Sequence, residues 1–322
     1  LMSRFTQAYR DELNPLYAQC KPLNLFGVQQ LDPAAVNFAW RPQNQEFSYE
    51  QRGLPASVQG RVFEGSGAGP ISAAAGIEHR RESGDIVNNK GTITPTGGYS
   101  FALGLDYAGK IQVTEGFLET DIPVFRDSAI GDMFNLNGAI RVTRNKSTDG
   151  ISNRSKTGDV VTWKLGAIYD VTGGLRQRAT QSRDIRAAGF AELFVKTAPS
   201  EPCTSQGQIR NDNIGQSNKI ECAALFSGGN FDLVPEMADM TARGFVYAPT
   251  FLRGFQVSLD WYQIKIKDAI ANLTAQRVVD LCYNNKLLCD RVDYAAPQDI
   301  TSVIGGQTNV GKVTTRGFGF EG

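Results

Sequence analysis

The stretch "GFQVSLDWYQIKIKDAI", residues Gly254–Ile270, alternates side chains in a way that leaves few folds open. Phe255, Val257, Leu259 and Trp261 take one parity, and Gln256, Ser258, Asp260 and Tyr262 take the other. A period of two is the signature of a β-strand with one apolar and one polar face. A soluble sheet turns its apolar face inward, toward a core. A membrane barrel turns it outward, toward lipid, and keeps its polar face around a wet lumen. The local pattern is the same in both cases, so the rest of the chain must decide.

Eight further stretches read as strands. They are Glu46–Phe63, with Pro55 spoiling part of it, then "PISAAAGIEHRRE", "KIQVTEGFLETDI", "MFNLNGAIRVTRN", "DVVTWKLGAIYD", "GLRQRATQSRD", "MTARGFVYAP" and "NVGKVTTRGFGFEG". Together with the first they make about nine strands of the ~10-residue length expected of barrel segments. In the fourth of these eight, Phe134, Leu136, Ile140 and Val142 oppose Asn135, Asn137, Arg141 and Thr143. Arg141, Lys164, Arg176 and Arg178 all fall on the face opposite the apolar set. A soluble core could not bury that many charges without partners. Trp163 and Tyr169 share one face, about 20 Å apart at ~3.3 Å per residue before tilt. That spacing suits the two edges of an apolar band, where aromatic residues collect.

The connections point the same way. They read short ("GSGAG"), long (Arg81 to Gly109), intermediate ("PVFRDSAIGD"), medium ("NKSTDGISNRSKTG"), short ("VTGG"), very long (Ile185 to Ala238), short ("TFLRG") and long (Asp268 to Thr308). Alternation of this kind puts the long loops at one end of a hairpin ladder, as in outer-membrane barrels. A β-sandwich has no reason for it, and unstructured loops of this length are uncommon in compact soluble domains.

Five cysteines bear on the compartment. Cys203 with Cys222, and Cys282 with Cys289, form close pairs in polar stretches inside long loops of the same parity. A zinc site wants Cys-x-x-Cys or histidine partners, and His79 is the only histidine. Loop disulfides in an oxidising compartment are the better reading, against free thiols that merely lie nearby. Val278, Val279, Cys282 and Tyr283 recur at helical spacing, so "TAQRVVDLCYN" predicts a short loop helix closed by a Cys282–Cys289 bridge. Cys20 is left to find a partner upstream.

Other classes are disfavoured. Lys plus Arg and Asp plus Glu both number 33, which gives no reason to expect a nucleic-acid partner. No run reaches the roughly 18 apolar residues of a membrane helix, which says nothing against a barrel. The amino terminus, "LMSRFTQAYRDEL", has neither the apolar core nor the cleavage site of a signal peptide, so the chain is either cytoplasmic or a piece of something longer. No nucleophile elbow, zinc signature or phosphate loop is present, and "GGYSFALGLDYAG" has glycines without a following helix. Carboxylates such as Glu78 and Asp260 have no identifiable catalytic partner. The expectation is a non-enzyme with no cofactor and no metal.

Several ordered blocks then resemble one family. "LNGAIRVTRNKSTDG…VTWKLGAIYDVTGGLRQRATQSRDIRAAGFAELF" is similar to the barrel of TonB-dependent outer-membrane receptors. Thr162, Lys164 and Gly166 match that family's Thr-x-Lys-x-Gly strand. Arg178, Ser182, Arg183, Arg186 and Ala187 match its Arg-x-x-x-Ser-Arg-x-x-Arg-Ala run, with Ala188 where the family has proline. Asn230, Leu233, Pro235 and Glu236, followed by Asp260, Trp261, Tyr262 and Ile264, match a later block. "CKPLNLFG" and "DPAAVNFAW", between Cys20 and Trp40, resemble an extracellular loop of the larger receptors.

The resemblance implies an all-β, antiparallel transmembrane β-barrel in the outer membrane of a Gram-negative bacterium. Residues 1–322 would be an internal part of the barrel domain, without the plug domain, its TonB-binding segment or the closing strands. A full receptor of this kind binds a scarce solute outside the cell, such as a ferric siderophore, cobalamin or oligosaccharide, and imports it with energy supplied by TonB. Its partners would be the TonB complex, outer-membrane lipid and that cargo. Arg141, Lys164, Arg176, Arg178 and Asp260 are candidate lumen contacts to plug or cargo, although such residues also pair with carboxylates across strands. A passive porin and a secreted β-sandwich or adhesin are the competing readings.

Overall fold

The computed structural model describes residues 32–39, 44–65, 67–88, 105–196, 208–211, 219–296 and 299–322. Nine long strands form one sheet in chain order, each antiparallel to the next. They are β1 (Gln45–Phe63), β2 (Ile71–Asn88), β3 (Tyr107–Ser128), β4 (Gly131–Asp149), β5 (Ser155–Val171), β6 (Leu175–Arg186), β10 (Glu236–Tyr247), β11 (Val257–Leu273) and β14 (Gly306–Glu321). Among the described residues the sheet is open, with β1 and β14 as its two edges.

The strands run from 12 to 22 residues, longer than the ~10 expected, because they continue past the apolar band toward the long loops. Three expectations change with that length. "PVFRDSAIGD" is not an intermediate connection but a tight turn at Ala129 and Ile130. "NKSTDGISNRSKTG" shrinks to residues 150–154, where Asp149 Oδ1 accepts from the amides of Ile151 and Ser152. Pro55 does not interrupt β1, which pairs with β2 across it. An edge strand tolerates proline because its other side has no ladder bond to lose. In the opening stretch the strand starts at Val257, so Phe255 precedes it.

Cross-strand partners share a face, so the register assigns every side chain. One face carries Leu54, Val58, Ile77, Leu118, Ile140, Val161, Leu165, Leu259 and Phe320. These are large apolar groups, and Leu54, Leu165 and Phe320 are 75%, 63% and 71% exposed. The opposite face carries Glu78, Glu115, Glu119, Arg141, Lys164, Arg178 and Asp260. Trp163 and Tyr169 lie on the apolar face together, as their spacing predicts.

The curvature follows from one buried cluster. Ile111 and Val113 on β3, and Ile270 on β11, pack against the same group of Ala188, Leu193, Phe194 and Leu233. Four strands separate β3 from β11 in the sheet. Both can touch one cluster only if the polar face is concave. The apolar face is therefore the convex one.

Five short strands not legible in the sequence lie in the connections. β7 (Gln208–Asn211), β8 (Lys219–Cys222) and β9 (Ala224–Phe226) sit between β6 and β10. β12 (Val292–Ala296) and β13 (Asp299–Ile304) sit between β11 and β14, and β13 pairs with β9 in parallel. Among the described residues, three short α-helices accompany the strands: α1 (Pro33–Ala39), α2 (Phe190–Phe194) and α3 (Ala275–Asn285). α3 is the expected loop helix, capped by Thr274, whose side chain accepts from the Arg277 amide. Its inner face is Ala275, Val278, Val279 and Cys282. Tyr283, expected on that face, is exposed under the Lys286 ammonium. The Cys282–Cys289 disulfide is present, with Cα atoms 4.8 Å apart. Cys222 is disulfide-bonded; Cys203, its expected partner, and Cys20 lie outside the described residues.

Candidate functional site

The concave face is a ladder of charges held by cross-strand geometry. Arg176 and Asp170 are direct partners on β6 and β5, joined at 2.6 and 2.8 Å. Arg141 on β4 donates to Glu115 on β3 at 2.7 Å, and the Thr143 hydroxyl donates to the same carboxylate at 3.2 Å. The Arg141 guanidinium also lies 5.3 Å from the centre of the Phe117 ring.

Arg178 reaches farther. Its partner Asp260 lies on β11, with the whole of β10 between them, and Arg178 Nε donates to Asp260 Oδ1 at 2.8 Å. The residue between them in the ladder is Gly244. A Cβ there would fall 1.8 Å from Asp260 Oδ1, so only glycine leaves the carboxylate its position. The pair is built from three strands.

Lys164 differs from the other three basic residues. It is exposed and makes no ion pair among the described residues. Its ladder row runs Glu119–Ala139–Lys164 across β3, β4 and β5. Glu119 is likewise exposed and without an ion pair among the described residues. A cation and an anion thus stand two strands apart, about 10 Å at ~4.8 Å per strand, over a single methyl group. A pocket of about 470 Å³ opens here, lined by Arg80, Glu115, Phe117, Arg141 and Asp184 as well as these three.

At the long-loop end, the connection after β6 folds back into the concavity. Arg186 forks onto Glu236 at 2.7 and 3.0 Å and onto Glu192 at 2.8 and 3.1 Å. Glu192 also accepts from the Gly189 amide, closing the first turn of α2. Phe194, at the end of α2, lies against Gly109, where a Cβ would come within 2.3 Å of its ring. Asn230 ties the same connection to β14 by donating to the Gln307 carbonyl. Lys156 donates to the carbonyls of Asp232 and Leu233, both at 2.9 Å. Ala188, in place of the family's proline, is buried in this cluster. The block "RDIRAAGFAELF" is a rim brace.

Above the rim, two connections merge into one body. Ile209 and Ala223 come from the first, and Val278, Val279, Val292, Ile300 and Val303 from the second, and all share one core. The parallel β9–β13 pairing and the Cys282–Cys289 bridge tie it together.

The sequence placed Arg141, Lys164, Arg176, Arg178 and Asp260 on the lumen side, and the structure puts all five on the concave face. It could not show that Asp260 belongs to Arg178, since their meeting depends on a register across β10. Glu115, Glu119, Asp170 and Gly244 were missed for the same reason. Among the described residues no group of three His, Cys, Asp or Glu side chains is placed to hold a metal.

The comparisons agree with this architecture. A family profile described as "TonB dependent receptor-like, beta-barrel" matches residues 7–322. No curated protein sequence matches the chain. Among solved structures, the copper transporter OprC aligns over 90% of this chain and 36% of its own, at 12% identity and a TM-score of 0.52. The Serratia marcescens hemophore receptor HasR aligns over 86% of this chain and 39% of its own, at 11% identity and a TM-score of 0.49. The FrpB iron transporter from Neisseria meningitidis aligns over 85% and 33%, at 15% identity and a TM-score of 0.45. This chain therefore spans well under half the length of each. With the profile covering almost every residue and the strand order and faces of an outer-membrane barrel wall, the chain belongs to the TonB-dependent receptor β-barrel family of Gram-negative outer-membrane proteins.

Proposed function

We propose that this chain is part of the barrel of a receptor that binds a scarce solute outside the cell and imports it with energy from TonB. The plug domain, through which TonB would act, and the strands that close the cylinder would lie outside these 322 residues. The observation that carries the reading is the concave face. It is lined with charges, Arg141, Arg176 and Arg178 are already satisfied by carboxylates, and Lys164 and Glu119 make no ion pair among the described residues beside an open pocket. Satisfied pairs stiffen the wall, whereas the two uncommitted groups are the ones with hydrogen-bonding capacity for plug or cargo. Arg141, Arg176, Arg178 and Asp260 are then wall residues first, and Lys164 is the contact.

The cargo class is a ferric siderophore, cobalamin or oligosaccharide. Uptake of radiolabelled iron–siderophore, cobalamin and maltodextrin-type oligosaccharide by cells with and without the intact receptor distinguishes them. Transport of one class should require the receptor and collapse when TonB is deleted. Receptor-dependent diffusion that survives TonB deletion would instead mark a passive porin. Lys164→Gln should weaken uptake severalfold, and an unchanged rate would remove Lys164 from the contact surface.

A further inference from the structure

The convex face is not uniformly apolar. One ladder row runs Ile140–Trp163–Arg183–Asp239–Lys265–Thr314 from β4 to β14. It is apolar at one end and charged at the other, because strands tilted by roughly 35–45° carry each row obliquely through a level band. On β4 and β5 the band ends at Val142 and Val161, below the pair Arg144–Asp159. On β11 and β14 it ends at Trp261 and Phe318, below Gln263–Arg316.

Directly above that edge, on the long-loop side, four cations share the convex face of two adjacent strands. They are Lys265 and Lys267 on β11, and Lys312 and Arg316 on β14, while Arg243 on β10 shares the rung of Trp261 at the edge itself. Lys267 and Lys312 are direct ladder partners, a like-charge juxtaposition that is unfavourable in itself. Within the ladder from Met237 to Tyr247, Val257 to Lys267 and Lys312 to Phe320, the single acid on this face is Asp239. Asp239 is already bound to Arg183 at 2.7 Å, with Lys267 at 3.7 Å. Arg243, Lys265, Lys312 and Arg316 are exposed and make no ion pair among the described residues. Lone basic residues at a band edge extend toward water and need no ligand. Four together, two of them face to face and with Arg243 at the edge beneath, make a positively charged patch on the long-loop side of the apolar band.

We propose that this patch binds the phosphorylated headgroup of an outer-leaflet lipid, whose acyl chains lie along Trp261, Phe318, Leu259 and Phe320. The like-charge pair at Lys267 and Lys312 would receive a phosphate between them, and Arg316 and Arg243 would hold a second nearer the band. Forked guanidinium contacts to phosphate suit that lower position.

The test uses the intact receptor in detergent, with native mass spectrometry and titration of diphosphoryl lipid A, its dephosphorylated analogue and inorganic phosphate. The wild type should retain diphosphoryl lipid A, and the variant Lys265→Gln/Lys267→Gln/Lys312→Gln/Arg316→Gln should bind it at least tenfold more weakly. Lys110→Gln/Lys146→Gln, on the same face of β3 and β4, should bind as wild type does. Lys312→Glu places a carboxylate opposite Lys267, so it should lower lipid affinity severalfold while leaving the melting temperature unchanged or raised. Equal binding by wild type and the fourfold variant would overturn the proposal. So would equal binding of the dephosphorylated lipid. Displacement of the lipid by millimolar inorganic phosphate would overturn it in favour of a free-anion site.

Discussion

Replacing Phe194 with alanine should detach the loop that fills the concavity while leaving the sheet intact. Phe194 is 2% exposed and sits among Ile111, Val113, Leu193 and Leu233. Truncating a buried phenylalanine costs about 3–5 kcal/mol. The other fastening, Arg186 with Glu192 and Glu236, has an arginine 47% exposed, so solvent limits its worth to about 1 kcal/mol per pair. Apolar contact, not charge, therefore decides whether α2 stays down. Because the ladders are untouched, the cost appears as local opening of the connection after β6. The opening equilibrium should rise roughly 10²- to 10³·⁵-fold, at about 1.4 kcal/mol per factor of ten. Hydrogen exchange on the intact receptor in micelles reads this directly, at the amides of Leu193, Val195, Gly229 and Asn230, which bond within this loop. Arg186→Gln should accelerate the same amides by about fivefold per pair lost. The reasoning is refuted if Arg186→Gln opens the loop more than Phe194→Ala, or if Phe194→Ala leaves those amides protected.

Further outcomes follow from other parts of the structure. Gly109→Ala drives a Cβ into the Phe194 ring, so exchange at Val195 should rise as it does in Phe194→Ala, though by less. Cys282→Ser/Cys289→Ser opens a short loop whose closure is worth about 2–3 kcal/mol; thermolysin should then cut the α3 region first, with the nine strands still resistant. Leu165→Arg on the convex face should destabilise the folded receptor by about 2–4 kcal/mol in denaturant titrations from micelles, and Asn137→Arg on the concave face should cost far less. These 322 residues expressed alone should aggregate in plain buffer and be recovered only into detergent, since β1 and β14 are open edges. A reversible melting transition of a soluble monomer would contradict that.

The strand wall was legible because alternation is a local property. Phe134 through Val142 declares two faces without reference to any other strand, and the lumen placement of Arg141, Lys164, Arg176, Arg178 and Asp260 follows from parity alone. Connection lengths supplied the ends, and the spacing of Cys282 and Cys289 supplied a bridge. What remained hidden depends on distant partners. Arg178 meets Asp260 only because β10 intervenes with Gly244 at the right rung. β9 and β13 are three and six residues long and have no alternation to find; they become strands because they pair with each other over a shared core. Tyr283 has the spacing of a buried residue but lies at the margin of the inner face formed by Ala275, Val278, Val279 and Cys282, where its ring is exposed.

The central claim is that the apolar face meets lipid and the charged face meets water. Nitroxide labels at Leu165 and Lys164, adjacent on β5 and of opposite parity, test it in the intact receptor in bilayers. Collision rates with oxygen and with a neutral, water-soluble nickel chelate should separate the two sites. The account predicts that the Leu165 label relaxes strongly with oxygen and weakly with nickel, and that the Lys164 label does the reverse. A Leu165 label open to nickel, with Lys164 shielded from it, would contradict the barrel orientation outright.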